Sequence, residues 1–236
     1  MTEQSFDFGS FIKGSIDSLV KPKEYFASFK TDGGLGIPVV KALIYGAISG
    51  VFAFLWSVLH LSAAVGAWGG AIGIMALIWA IIGAIIGLFI GAVVTLIISA
   101  ICGGNTDYVA NAHVTAALMV IMPLGAILGI FGGISPVLGR IISLAVNIYA
   151  VYMLYHALVG SLNAKEPSAK VLSFVLVAIL ALFMIIRIFT QKAATKLMDN
   201  FGITEEFMEE FTDDTEKSLK DLTKDLEEAM KDIEEE

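Results

Sequence analysis

From Ala42 to Ile101 the chain runs sixty residues without an Asp, Glu, Lys or Arg. A water-soluble domain keeps much of its surface in solvent, so a stretch of that length must carry charge somewhere. An α-helix needs only about 20 apolar residues to cross a bilayer. The run is therefore the signature of a chain solvated by hydrocarbon, where each backbone N–H and C=O must be paired within the protein, as a helix pairs them. Composition agrees. The chain is 57% hydrophobic and 16% charged, with a mean hydropathy of +0.81, whereas soluble domains are roughly half apolar and a quarter charged. The fold class that follows is all-α, a polytopic transmembrane helical bundle.

Five spans account for the pattern. The first covers about 37–60. The second lies within 71–101 and is too long, since 31 residues at 1.5 Å make about 46 Å against about 30 Å of hydrocarbon. It is one tilted helix or a hairpin of two short spans. The absence of Pro, Asn or charge inside it favours one helix, preceded by an interfacial stretch at 63–73. "CGGNTDY" (102–108) is a loop. The third span, 114–134, should kink at Pro123. The fourth covers 137–162, and the fifth covers 171–189 after the loop "NAKEPSAK". Before the first span, Phe8, Ile12, Ile16 and Leu19 recur at helical spacing, Pro22 interrupts, and Tyr25, Phe26 and Phe29 alternate with Lys21, Lys23 and Lys30. That pattern predicts two short helices lying in the membrane interface. The chain thus divides into an interfacial segment (1–36), a transmembrane domain (37–190) and a tail (191–236).

The net charge of −8 hides two opposite parts. Residues 1–198 hold 11 Lys/Arg and 7 Asp/Glu, whereas residues 199–236 hold 4 and 16. The acidic tail places Leu219, Leu222, Leu226, Met230 and Ile233 at helical steps. It reads either as an amphipathic helix, suited to a protein partner, or as a solvated disordered tail. Its charge disfavours an anionic membrane, and no segment has the basic footprint of a nucleic-acid binder. The first ten residues lack the basic-then-apolar layout of a signal peptide. Lys13, Lys21, Lys23, Lys30 and Lys41 flank the first span, which argues for a cytoplasmic N-terminus in a cell membrane. A five-span chain puts Lys165 and Lys170 on that same side and sends Arg187, Lys192 and Lys196 across. A six-span chain does the reverse.

No predicted span contains a carboxylate, the group that proton- and cation-coupled transporters usually place at depth. His60, His113 and His156 sit on separate segments without metal-site spacing, and Cys102 is the single cysteine. The expectation is no catalytic residues, no metal, no cofactor and no enzyme. Tyr149, Tyr152, His156 and Asn163 form a stripe on the fourth span. It is either a polar path or headgroup contact, or hydrogen-bonding glue between helices. Glycines recur every fourth residue at Gly46 and Gly50 (after Ala42), at Gly83, Gly87 and Gly91 (continuing through Thr95, Ser99 and Gly103), and at Gly125, Gly129 and Gly133. In lipid, helices associate through close backbone approach rather than hydrophobicity, so these rows predict packing faces, within the chain or against another.

Three stretches resemble the Yip1-domain family of polytopic membrane proteins. "SLVKPKEYFASFKTDGGLGIPVVKALIYGAISG" (18–50) is similar to that family's approach to its first span. "GGNTDYVANAHVTAALMVIMPLGAILGIF" (103–131) is similar to its polar loop and Pro-containing span, and "VYMLYHALVGSLNAKEPSAKVLSFVLVAIL" (151–180) to its last two spans. The resemblance covers about residues 10–190 and implies a cytosolic amphipathic segment followed by five spans. The acidic-aromatic DLYGP-type motif of the eukaryotic branch, which is associated with membrane traffic and small GTPases, is absent, and the acidic tail lies outside the family pattern. The function this implies is a non-enzymatic scaffold that organises membrane. Its partners would be the lipid bilayer, further copies or other membrane proteins, and a protein bound by the tail. The alternative is a small permease or channel subunit.

Overall fold

A computed structural model describes residues 7–59 and 72–200, with side chains at 7–59, 77–184 and 186. All nine elements among them are helices: α1 (Phe8–Val20), α2 (Pro22–Ser28), α3 (Gly36–Val58), α4 (Ile72–Ile101), α5 (Tyr108–Leu118), α6 (Ile121–Leu128), α7 (Phe131–Ile134), α8 (Pro136–Gly160) and α9 (Glu166–Asn200). Five stretches are long and apolar enough to cross a membrane: Gly36–Val58, Leu77–Ile101, Tyr108–Ile134, Pro136–Gly160 and Glu166–Met184. The chain separates into two compact units. The first, Met1–Leu182, holds the bundle, and the second, from Phe183, is described as the continuing helix to Asn200.

Local chemistry explains the boundaries. Asp7 caps α1, its carboxylate accepting from the Gly9 and Ser10 amides at 3.3 and 2.9 Å. Pro22, which cannot continue α1, opens α2 in the first turn, where its missing N–H costs nothing. Asp107 caps α5 by accepting from the Ala110 amide at 2.7 Å, and Ser135 caps α8. The long apolar stretch before Cys102 is one continuous helix, α4, rather than a hairpin.

The third span differs from a single kinked helix. It begins at Tyr108 and breaks into α5, α6 and α7. The first break, at Met119–Val120, sits four residues before Pro123 for a physical reason. The proline has no N–H for the Met119 carbonyl, and its ring collides with that carbonyl in a straight helix. The freed carbonyl instead accepts from the Met122 amide at 2.9 Å.

The core lies among α3, α4 and α5, with α6 also against α3, while α8 packs on α2, α6 and α7. Of the apolar stretch of the third span 39% is buried, and of the fifth only 6%. The fifth span therefore buries little of its apolar surface.

Candidate functional site

The connections 29–35, 102–107 and 161–165 meet at one end of the bundle, together with α1 and α2. The Asn105 amide donates to the Leu162 carbonyl at 2.7 Å and the Lys165 amide to the Cys102 carbonyl at 3.0 Å. His113 Nε2 lies 3.1 Å from the Gly34 carbonyl, a distance at which the ring nitrogen donates. Beneath these loops runs a polar seam. The Asn111 amide nitrogen donates to the Asn105 and Asp107 carbonyls at 3.0 and 2.7 Å, and the Ser99 hydroxyl also donates to Asn105 at 2.8 Å. Thr115 Oγ lies 3.0 Å from Thr95 Oγ and 2.8 Å from the Asn111 carbonyl. Asn111 and Ser99 are fully buried. Pairing offsets the cost of burying these groups, and of the Asn111 carboxamide only the nitrogen is paired, its oxygen being buried without a partner among the described residues.

On this end sits the N-terminal platform. The Phe11 and Tyr45 rings lie 5.2 Å apart. Ser15 Oγ donates to the Phe11 carbonyl at 2.7 Å and lies 2.7 Å from the Tyr45 hydroxyl, which therefore donates to it. The Tyr149 hydroxyl on α8 donates to the Leu19 carbonyl. α2 is fixed equally firmly. Phe26 is wholly buried and its carbonyl accepts from the Ser161 hydroxyl at 2.8 Å. Gly160 makes that approach possible, because a Cβ there would stand 2.8 Å from the Phe26 carbonyl group. The opposite face of α1 is bare: Phe8, Ile12, Ile16 and Val20, each four residues after the last, are all exposed. Burial pushes the Tyr25 hydroxyl up, and Tyr45 and Asp17 add to the shift, so it stays neutral. Hydrogen bonds from Ser10 hold the Asp7 carboxyl below the usual carboxylate range.

A family model of the Yip1 domain matches residues 16–188. The chain belongs to the Yip1 family. No curated protein matches it, and no solved structure does. The Yip1 domain thus contains all five spans and begins midway along α1, so Phe8 and Ile12 precede the matched region.

Within the Yip1 domain the predicted residues fall in several places. Gly46 and Gly50 face α4 at close range. A Cβ on Gly46 would lie 2.7 Å from the Ala84 Cβ, and one on Gly50 would lie 3.0 Å from the Leu77 Cα. The α4 glycine row is not the face that packs within this chain. A Cβ on Gly83 or Gly87 would meet nothing within 4 Å outside its own helix backbone, and the buried row runs through Ala84, Leu88 and Ala92 to Thr95 and Ser99. Within this chain, Gly83 and Gly87 are therefore not a packing face. Gly91 does approach Thr115, since a Cβ there would stand 2.8 Å from its Cγ2. Gly125 faces open space, a Cβ on Gly129 would stand 3.7 Å from the Trp56 ring, and Gly133 is exposed. The same turn of α6 anchors that ring, whose Nε1 donates to the Ala126 carbonyl at 2.7 Å.

The fourth-span stripe is split. Tyr149 and Tyr152 have ring centroids 5.7 Å apart, and Tyr152 meets His156 edge-on at 4.6 Å. Asn163 is not on this helix face; it lies beyond the end of α8 in a left-handed turn, φ 52°. Cys102 is buried, which pushes its thiol up. His60, the 63–71 part of the interfacial stretch, and the acidic tail beyond Asn200 lie outside the described residues.

Sequence reasoning missed the second face of α1. Phe11, Ser15 and Ser18 recur at helical steps between the apolar residues, and two serines in such a row are the sign of close docking rather than of solvent. It also missed Asn147. The five spans contain two carboxamides, Asn111 and Asn147, and only the first is buried.

Proposed function

We propose that this Yip1-family membrane protein works without enzymatic chemistry, as an organiser of the bilayer in which it sits. The observation that carries this reading is the bare row Phe8–Ile12–Ile16–Val20 on a helix whose other face is fastened to α3 and α8. Each such side chain gains about 1.5–3 kcal/mol when fully withdrawn from water, so the row belongs in the boundary between headgroups and acyl chains. A free amphipathic helix can leave the membrane. This one is bolted to a transmembrane bundle, so its volume is inserted into one leaflet permanently, a geometry suited to bending or sorting membrane.

Orientation fits this role. Lys13, Lys21, Lys23, Lys30, Lys41, Lys165 and Lys170 gather at the platform end of the five-span topology, against Arg140, Arg187, Lys192 and Lys196 toward the other end. This excess supports a cytoplasmic platform by the positive-inside rule. The acidic tail would recruit a protein partner of basic character.

The test is reconstitution of the full chain into liposomes, imaged by electron microscopy. Wild type should convert vesicles to smaller or tubular forms, and the Ile12→Glu/Ile16→Glu double variant should not. Unchanged vesicle shape with correctly inserted wild type would refute the reading.

A further inference from the structure

Asn147 lies twelve residues into the 25-residue α8, about 17 Å from its start at 1.5 Å per residue. It is therefore near the bilayer midplane, and it is exposed. Its amide nitrogen reaches back to Ser143, 2.7 Å from the carbonyl and 3.5 Å from the hydroxyl. Its side-chain oxygen has no partner among the described residues. Lipid tails offer it none, and a bare carboxamide at this depth is strongly disfavoured.

The same helical face continues through Val151 and Leu158, both buried. Toward the platform end this face is thus covered by its own chain, whereas at Ser143 and Asn147 it is exposed. Ser143, one turn away and also exposed, is small enough to let another helix approach closely.

We propose that the Ser143–Asn147 face of α8 is the contact between two copies of this chain. A twofold axis along the membrane normal places Asn147 beside its counterpart at equal depth. A carboxamide is both donor and acceptor, so each oxygen can take an N–H from the other. A carboxylate or an ammonium at this position could not pair with its own copy. Arg140, about 10 Å nearer the membrane surface by helical rise, can extend to the headgroups rather than meet its equivalent.

The experiment is thiol crosslinking of the full chain in membranes, in a Cys102→Ala background. Ser143→Cys should give a disulfide-linked dimer on mild oxidation. Ala145→Cys, about 160° around the helix from Asn147, should not. Adding Asn147→Leu to Ser143→Cys should lower the dimer fraction roughly tenfold, the scale of a lost interhelical side-chain pair in lipid. Asn147→Gln, which keeps the carboxamide, should retain it. Elution as a single folded species in detergent checks that each variant has folded. Labelling of Ser143→Cys by a membrane-impermeant maleimide, without dimer, would mean a water-filled cleft and overturn the proposal. Neither labelling nor dimer would mean a lipid-facing surface and overturn it too. Equal crosslinking with Asn147→Leu would remove Asn147 from the contact and defeat the proposal as stated.

Discussion

Between α3 and α4 the backbones meet at Gly46 and Gly50, with Leu77, Ala80 and Ala84 filling the space that side chains would take. The fifth span, by contrast, presents Val171, Phe174, Leu182 and Phe183 outward and buries almost nothing. Both stretches are apolar enough to cross a membrane. In hydrocarbon, apolar character earns no association, so contact geometry separates them. The early spans are a compact frame made of small residues. The distal half of α8 and the fifth span are surface, free to meet lipid or another chain. The platform belongs to the frame, and for that reason it can hold an apolar row rigidly at the membrane boundary.

The sharpest way to break this contrast is to place bulk on each side of it. Gly50→Leu should collapse the α3–α4 contact, because the Cβ alone would stand 2.8 Å from Leu77 Cδ1 and 3.0 Å from its Cα. Overpacking of this kind costs about 1–3 kcal/mol and more where backbone blocks relief. We expect loss of the monodisperse peak in detergent chromatography. Gly160→Val should come next. Its side chain meets the Phe26 carbonyl and the Ala27 amide, so α2 must lift, read as faster proteolysis after Lys21 and Lys23 with the spans intact.

Tyr45→Phe sharpens the platform account at smaller scale. It removes the hydroxyl that donates to Ser15 while keeping the ring against Phe11. About 1 kcal/mol should be lost, visible as faster amide exchange in α1. Asp7 gives a smaller, pH-dependent effect. Its carboxyl is held below the usual range by Ser10, so the cap is fully effective above the ordinary carboxylate value and fades as pH falls through the lowered one. The Gly9 and Ser10 amides should therefore lose relative protection only in acid. Finally, Gly87→Leu should leave folding and elution unchanged, since a Cβ there would meet nothing within 4 Å outside its own helix backbone.

That last prediction marks what sequence reading could not reach. Spans, the break at Pro22, the loop at Cys102 and the family itself were visible in hydropathy, proline placement and motif resemblance. The register of the α4 face was not. Gly83–Gly87–Gly91 and Ala84–Leu88–Ala92 are neighbouring rows with the same four-residue step, and periodicity cannot say which one meets α3 and α5. Similarly, Asn111 and Asn147 look alike in the sequence. Only the tertiary placement of the 102–107 loop buries the first and pairs its amide nitrogen, while the second stays exposed. The docking of α1 was hidden for a related reason: its contacts with Tyr45 and Tyr149 join residues 30 and 130 positions apart.

The central claim is that α1 is fixed in the membrane boundary with its bare row inward. A nitroxide at Ile16→Cys, in the Cys102→Ala background and in liposomes, tests it by power-saturation electron paramagnetic resonance. The account predicts a label more accessible to oxygen than to a water-soluble relaxant, with Lys13→Cys showing the opposite. A label at position 16 relaxed mainly from water would contradict it.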